Sequence, residues 1–263
     1  MEYGVTVGRK GSAALFKQGR EWAKLLGLPF VTRPRKGTLE TFCREKGFKA
    51  LLVATHLGPQ VYTNEGILRY HPSMGVPRIR TLERGGTDHL VEACALKPGD
   101  RVLDCTLGLA ADAAVASFVT GPEGLVVGLE ASPVLWLLVN HGLQDYTLED
   151  DGKLTACLRR IRTVRTKAED YLQTLPADSF DVVYFDPMFQ RPVGNSSSMQ
   201  PLRPASYHKP VTEDMVRLAL QAAPRVVVKE RDEELLRQLG AEEIQGGRYS
   251  RVRYGIIRRQ HHG

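Results

Sequence analysis

The chain has 263 residues, 42% of them hydrophobic and 25% charged, which excludes a disordered or low-complexity polymer and allows a sizeable buried core. Its formal net charge of +6 favours a polyanionic partner, because Lys and Arg that neutralise phosphates release condensed counterions. The four cysteines, Cys43, Cys94, Cys105 and Cys157, form no CxxC pair and match no zinc template, so no metal site and no disulfide framework is expected. Reduced thiols, the absence of an apolar leader in MEYGVTVGRKGS and the absence of an apolar run of membrane-spanning length together predict a cytoplasmic protein with no membrane association.

The elements read in two groups. Residues 1–82 predict a small basic α/β unit. Strand-like runs at 3–7, 29–32, 50–55 and 60–63 alternate with helical runs at 12–27 and 38–47. Leu15, Trp22, Leu25 and Leu26 give the first helix an apolar face, and Gly27 with Pro29 ends it. Arg9, Lys10, Lys17, Arg20, Lys24, Arg33, Arg35 and Lys36 make this unit a candidate for RNA binding or substrate positioning. The Pro- and Gly-bearing stretch 72–86 reads as a linker.

Residues 83–263 alternate helix and strand, the pattern of a parallel sheet covered on both faces. A helix over 87–96 with Thr87 as its N-cap precedes a strand at 101–106. A small-residue helix then closes at Gly121. The strand at 124–131 leads into a helix with Ser132 as N-cap and Pro133 in its first position. Further strands are predicted at 160–166, 180–187 and 225–230, and a hairpin around Gly246 and Gly247 ends the fold. Residues 191–206 read as a mobile loop.

Four segments carry chemistry. In VLDCTLGLAAD (102–112) a strand ends in Asp104, and a turn through Thr106 and Gly108 opens a helix. Ligands sit at such carboxyl strand ends, and Gly108 lets backbone approach them. The turn lacks the glycines of GxGxxG, so it suits a cofactor without a pyrophosphate. S-adenosylmethionine is such a cofactor, and Asp104 can accept from its cationic amino group. Glu130 ends the next strand, where a carboxylate can accept both hydroxyls of a ribose; the alternative is a solvated residue beside the Ser132 cap. In VVYFDPMF (182–189) Asp186 can accept from an amine, Pro187 constrains the turn and Phe189 offers a face to a flat base. That trio predicts methyl transfer to the exocyclic amine of a nucleobase. Lys229, at the end of 225–230, is read as a group that contacts a phosphate or orients the loop at Asp186, or else as a plain ion pair with a nearby acid.

DCTLGLAADA (104–113), LEAS (129–132), DPMF (186–189), VVVK (226–229) and GGRYSRVRYG (246–255) together resemble the bacterial 16S ribosomal RNA guanine-N2 methyltransferases of the small-subunit methyltransferase J family. The likeness runs from about Arg80 to Arg258. It implies a Rossmann-like class I methyltransferase sheet with a C-terminal antiparallel hairpin. It also implies S-adenosylmethionine as cofactor and 16S rRNA or the small ribosomal subunit as partner. By the same resemblance the cofactor lies against Ala111 and Asp112, Glu130 and Ala131, a residue near Ala168 or Glu169, and Asp186. One position departs: the family has Arg beside the Asp where this chain has Ala111, which removes a cation. Two other readings remain open. One is a methyltransferase acting on a DNA base, a protein or a metabolite amine. The other is a non-catalytic RNA-binding protein of methyltransferase fold.

Overall fold

A computed structural model of the chain describes residues 2–9, 11–33, 37–72, 74–147, 152–187, 202–207, 209–248 and 250–260. It separates into two compact units, each assembled from more than one stretch of chain. The first takes Met1–His71, Ser132–Tyr146 and, of Val193–Tyr207, the described residues from Leu202; the second takes Pro72–Ala131, Thr147–Pro192 and His208–Gly263. The single cut expected near residue 82 is therefore replaced by an interleaved division.

In the first unit a four-stranded sheet runs in the order β1 (Tyr3–Val7), β2 (Ala50–Thr55), β3 (Gly58–Thr63), β4 (Gly66–Leu68). β1 and β2 are parallel, and the rest is antiparallel. Residues 29–32 contribute only a bridge between Phe30 and Val5. Helix α1 (Ala13–Leu26) starts at a Ser12 cap and ends at Gly27, whose φ of 68° is the left-handed conformation glycine favours. Its buried face is Leu15, Gly19, Ala23 and Leu26, spaced by three and four, while Leu25 is exposed. Leu15 and Leu26 are buried as expected and Trp22 packs against the Val7, Leu15 and Ala54 cluster, so only Leu25 departs from the expected face. Helix α2 (Leu39–Lys46) covers Leu51 and Val53 on the opposite face of β2 from Ala54, which packs with α1. Helix α6 (Pro133–Asp145) also belongs here and packs along β2 and β3.

One close approach fixes α6. The Tyr70 ring lies so near Gly142 that an added Cβ would sit 2.0 Å from Tyr70 Cγ. Glycine inside a helix costs about 1 kcal/mol relative to Ala, so Gly142→Ala would stabilise an isolated helix. Here it is expected to destabilise the protein by about 1–3 kcal/mol through overpacking, read as a lower thermal midpoint.

The second unit is a seven-stranded sheet of order β10-β11-β9-β8-β5-β6-β7. Its strands are β5 (Arg101–Asp104), β6 (Leu125–Glu130), β7 (Arg162–Arg165), β8 (Val182–Phe185), β9 (Arg225–Glu230), β10 (Glu243–Gln245) and β11 (Arg253–Arg258). β5 to β9 are parallel, and β10 and β11 form the expected antiparallel C-terminal pair. The chain moves from β5 to β6 and β7 on one side, then returns to β8 and β9 on the other. β5 therefore borders the switch point at which ligands bind in such sheets. Alternation along the strands divides two cores. Leu103, Val127, Leu129, Val183, Phe185, Val226 and Val228 share one cluster with α8 (Ala168–Leu172), α10 (Glu213–Ala222) and α11 (Glu233–Gln238). Val102 and Tyr184 face α4 (His89–Cys94) and α5 (Ala111–Thr120). The architecture is the Rossmann-like α/β fold expected.

Two local expectations need correction. The stretch read as a linker is helix α3 (Gly75–Glu83). Pro77 is its third residue, where an N–H would have no intrahelical partner, so the proline does not break it. The cap of α4 is Asp88, not Thr87; its carboxylate accepts from the N–H groups of Leu90 and Val91. Helix α7 (Gly152–Arg160) precedes β7. Of the stretch read as a mobile loop, 191–201 lies outside the described residues and Leu202–Ala205 forms the short helix α9. Among the described residues no helix is long and apolar enough to cross a membrane.

Candidate active site

The two-residue period of the strands decides which side chains meet. Asp104 pairs with Tyr184 across β5 and β8, and Tyr184 with Val227 across β8 and β9. Stepping two residues on from Tyr184 and from Val227 reaches Asp186 and Lys229. Asp104, Asp186 and Lys229 therefore emerge on the α4–α5 face at the carboxyl ends of three neighbouring strands.

The turn after β5 is locked at both ends. Asp104 Oδ1 accepts from the Thr106 N–H at 2.9 Å and from its hydroxyl at 3.3 Å. The Thr106 hydroxyl oxygen in turn accepts from the Asp186 N–H at 2.6 Å, tying the end of β8 to that of β5. Gly108 and Ala110 both adopt positive φ, 52° and 63°. For glycine this is free; for Ala110 it is a strained conformation of about 1–2 kcal/mol. The Leu107 N–H donates to the Leu129 carbonyl, and Leu107 fills the space that the absent Gly128 side chain leaves open.

A charge network fills the floor. The Asp112 carboxylate, in the first turn of α5, meets the Arg78 guanidinium, Lys229 Nζ at 3.2 Å and the Tyr184 hydroxyl at 2.9 Å. Arg78 also holds Asp88 through two hydrogen bonds, at 2.7 and 2.9 Å. Lys229 Nζ donates to Asp186 at 2.7 Å. Burial by itself raises the Asp112 carboxyl, but Lys229 and Arg78 outweigh it and hold the group below the usual range. Asp186 moves the other way: burial, reinforced by Asp112 and opposed by Lys229, pushes it up to about 6. Burial pushes Asp104 up to about 7 against the hydrogen bonds from Thr106.

The sequence-derived residues fall as follows. Asp104, Thr106, Gly108, Asp112, Asp186 and Lys229 come together in this network or its turn. Glu130 is buried at the end of β6, beside β5, and its carbonyl accepts from the Thr166 N–H. Ala131 follows it directly and Pro187 follows Asp186. Ala168 belongs to the apolar core, and the Glu169 carboxylate is engaged by Lys209 at 2.5 Å. Phe189 lies outside the described residues. Of the readings for Lys229, the ion pair is present, with Asp186 and with Asp112. Ala111 does not leave Asp112 short of positive charge, since Arg78 arrives from α3. Arg78 and Tyr184 were missed by sequence reasoning. The spacing of Val76, Ile79 and Leu82 was the available signal for α3.

Four carboxylates (Asp88, Asp104, Asp112, Asp186) share this region with two cations, Arg78 and Lys229. A pyrophosphate would add to the negative surplus, whereas a cationic ligand would relieve it. The donor set thus fits a cofactor that carries positive charge.

Comparison with known proteins agrees with that chemistry. Residues 68–252 match the family model described as "Putative SAM-dependent methyltransferase". The chain is 32% identical over 225 residues to "Uncharacterized protein YpiP" of Bacillus subtilis, covering 85% of this chain and 86% of that one. It is 30% identical over 228 residues to "Ribosomal RNA small subunit methyltransferase J" of Pseudomonas paraeruginosa, covering 83% and 81%. In fold it is similar to the crystal structure of the SAM-dependent methyltransferase NGO1261 from Neisseria gonorrhoeae. The TM-score is 0.56 at 17% identity, over 97% of this chain and 95% of that one.

Proposed function

Because this chain belongs to the SAM-dependent methyltransferase family and takes S-adenosylmethionine as its cofactor, we propose that it methylates an exocyclic amine of a ribosomal RNA base, with guanine N2 as the target. The observation that carries this reading is Asp186, a partly exposed carboxylate at the end of β8. It is held by Lys229 on its side chain and by Thr106 on its backbone, on the same sheet face as Asp104. The name of the Pseudomonas relative supports RNA as substrate.

In this reading Asp104 accepts from the cofactor's amino group and Glu130 from its ribose hydroxyls, with Ala111, Asp112, Ala131, Ala168 and Glu169 nearby. When bound, the cofactor supplies a methyl group already activated by its sulfonium charge. The base nitrogen is a weak nucleophile because its lone pair is delocalised into the ring. Asp186 accepts a hydrogen bond from the amine, which holds the nitrogen in line and draws its proton away as the N–C bond forms and the S–C bond breaks. Pro187 stiffens the turn, and Phe189 offers a stacking face. Lys229 keeps the Asp186 carboxylate in place and balances its charge.

Charge supports an RNA partner. From Gly152 to Lys167 the chain carries Lys153, Arg159, Arg160, Arg162, Arg165 and Lys167 and no acid. All but Arg160, which donates to the Ser117 carbonyl, are exposed on α7, on the edge strand β7 or just beyond it. Such a strip suits phosphate contacts.

The test offers the protein tritiated S-adenosylmethionine with ribosomal RNA and with small subunits from cells lacking the enzyme. Label recovered as N2-methylguanosine is the expected outcome. Label on another nucleoside would keep the enzyme and overturn the target; label on no nucleic acid would favour a protein or metabolite amine.

A further inference from the structure

The first unit contains a cavity of about 630 Å³, formed by the turn between β2 and β3, the end of β4, α1 and α6. That volume lies in the range of ligand pockets. Its lining combines aromatic and imidazole rings (Tyr70, Tyr146, His141, His56) with one guanidinium, Arg69. Tyr70 and Tyr146 meet edge to face at 5.9 Å and make one wall. His141 is fixed on two sides: Nδ1 lies 2.9 Å from Asp145, and the ring stands edge-on to Trp22 at 6.0 Å.

The backbone concedes stability to this arrangement. Gly142, inside α6, is the residue that lets the Tyr70 ring sit against the helix. Gly58, at φ 86°, brings the β2–β3 turn against His141, where a Cβ would lie 3.5 Å from the imidazole. Leu57 in that turn is 84% exposed, an apolar side chain at the rim. Rings around an open space, a guanidinium, an apolar rim and an Asp145 carboxylate already engaged by His141 match the two faces of a nucleotide, a flat base and an anionic phosphate. A duplex would present its bases already stacked, so an unpaired nucleotide is the better occupant.

We propose that this cavity is a second RNA site, which takes an unpaired base of the substrate against the Tyr70–Tyr146 wall and the adjoining phosphate on Arg69. The proposal rests on RNA as the substrate of the methyl transfer. It adds that substrate recognition involves a nucleotide other than the one methylated, bound by the first unit.

The test measures fluorescence anisotropy of a labelled small-subunit rRNA fragment, with S-adenosylmethionine affinity and thermal midpoint measured in parallel. Tyr146→Ala is expected to weaken RNA binding between about 5-fold and 150-fold, the range for losing one stacked base, and Tyr146→Trp to restore it. Arg69→Ala, at an exposed position, is expected to weaken binding and reduce the salt slope by about one. In the transfer assay both raise KM for RNA and leave kcat and cofactor affinity unchanged. RNA affinity equal to wild type in Tyr146→Ala and Arg69→Ala overturns the cavity assignment alone. A wild-type protein that binds the cofactor but no RNA overturns the RNA reading and the cavity assignment with it.

Discussion

Asp186→Ala is expected to lower kcat for methyl transfer by about 100- to 10,000-fold, the range for removing a positioned proton acceptor, while cofactor affinity falls far less. The reason is when the contact forms. The carboxylate meets the amine only with the base in place, so its loss is felt in the transition state more than in the cofactor complex. A pH signature accompanies it. Burial raises Asp186 to about 6, and the accepting form is the ionised one. Wild-type kcat/KM should therefore rise with pH through about 6 and level off above it. Asp186→Asn should be slow and lack that limb. Full transfer activity in Asp186→Ala would remove this carboxylate from the chemistry.

Asp104→Asn should separate cofactor binding from folding. The amide oxygen can still accept from Thr106, but the charge is gone. Losing a charge-assisted hydrogen bond of about 1.5–3 kcal/mol predicts a cofactor Kd roughly 10- to 150-fold weaker. Without cofactor the variant should be no less stable than wild type at pH 8. The folded-state pKa of Asp104 is raised from 3.8 to about 7. Its contribution to stability is thus fully present below about pH 4 and is lost as pH rises through 7. Asn is neutral throughout and escapes that loss. The same linkage makes wild-type affinity fall as pH drops below about 7, because the cofactor's cation favours the ionised carboxylate. Calorimetry across pH 6 to 8 checks both: a wild-type Kd independent of pH, or an Asp104→Asn protein that binds as tightly as wild type, would contradict the assignment.

The strand-end acids were legible because each closes a short apolar run. A residue that ends a buried strand has a defined position whatever the rest of the fold does, so Asp104, Glu130 and Asp186 could be placed from local pattern. Side chains that arrive from elsewhere could not. Arg78 stands in a stretch whose prolines and glycine mimic a linker, and only the tertiary contact with Asp112 and Asp88 gives it a role. Tyr184 reads as one more apolar strand residue until its hydroxyl is seen to reach Asp112. Lys229 had two equal readings, since one sequence cannot say which acid lies opposite a strand end. The face of α1 was misjudged at Leu25 because Leu25 and Leu26 are adjacent, and periodicity alone cannot choose between neighbours when Gly19 and Ala23 complete the buried row.

The interleaving of the two units bears on how the protein is made. The sheet of the first unit is translated by residue 68, yet helix α6, which packs along β2 and β3, is not complete until Asp145. Between them the ribosome must deliver β5, α5 and β6 of the other unit. Val134, Leu135, Leu138 and Val139 of α6 are fully buried in the finished protein. A nascent chain of 71 residues holds the strands without that cover, so its apolar sheet surface waits in solvent through the synthesis of about sixty more residues, a few seconds at ordinary elongation rates. The first unit therefore cannot gain its α6 cover until part of the second has been made, and a gene cut after residue 71 would yield a sheet stripped of a helix.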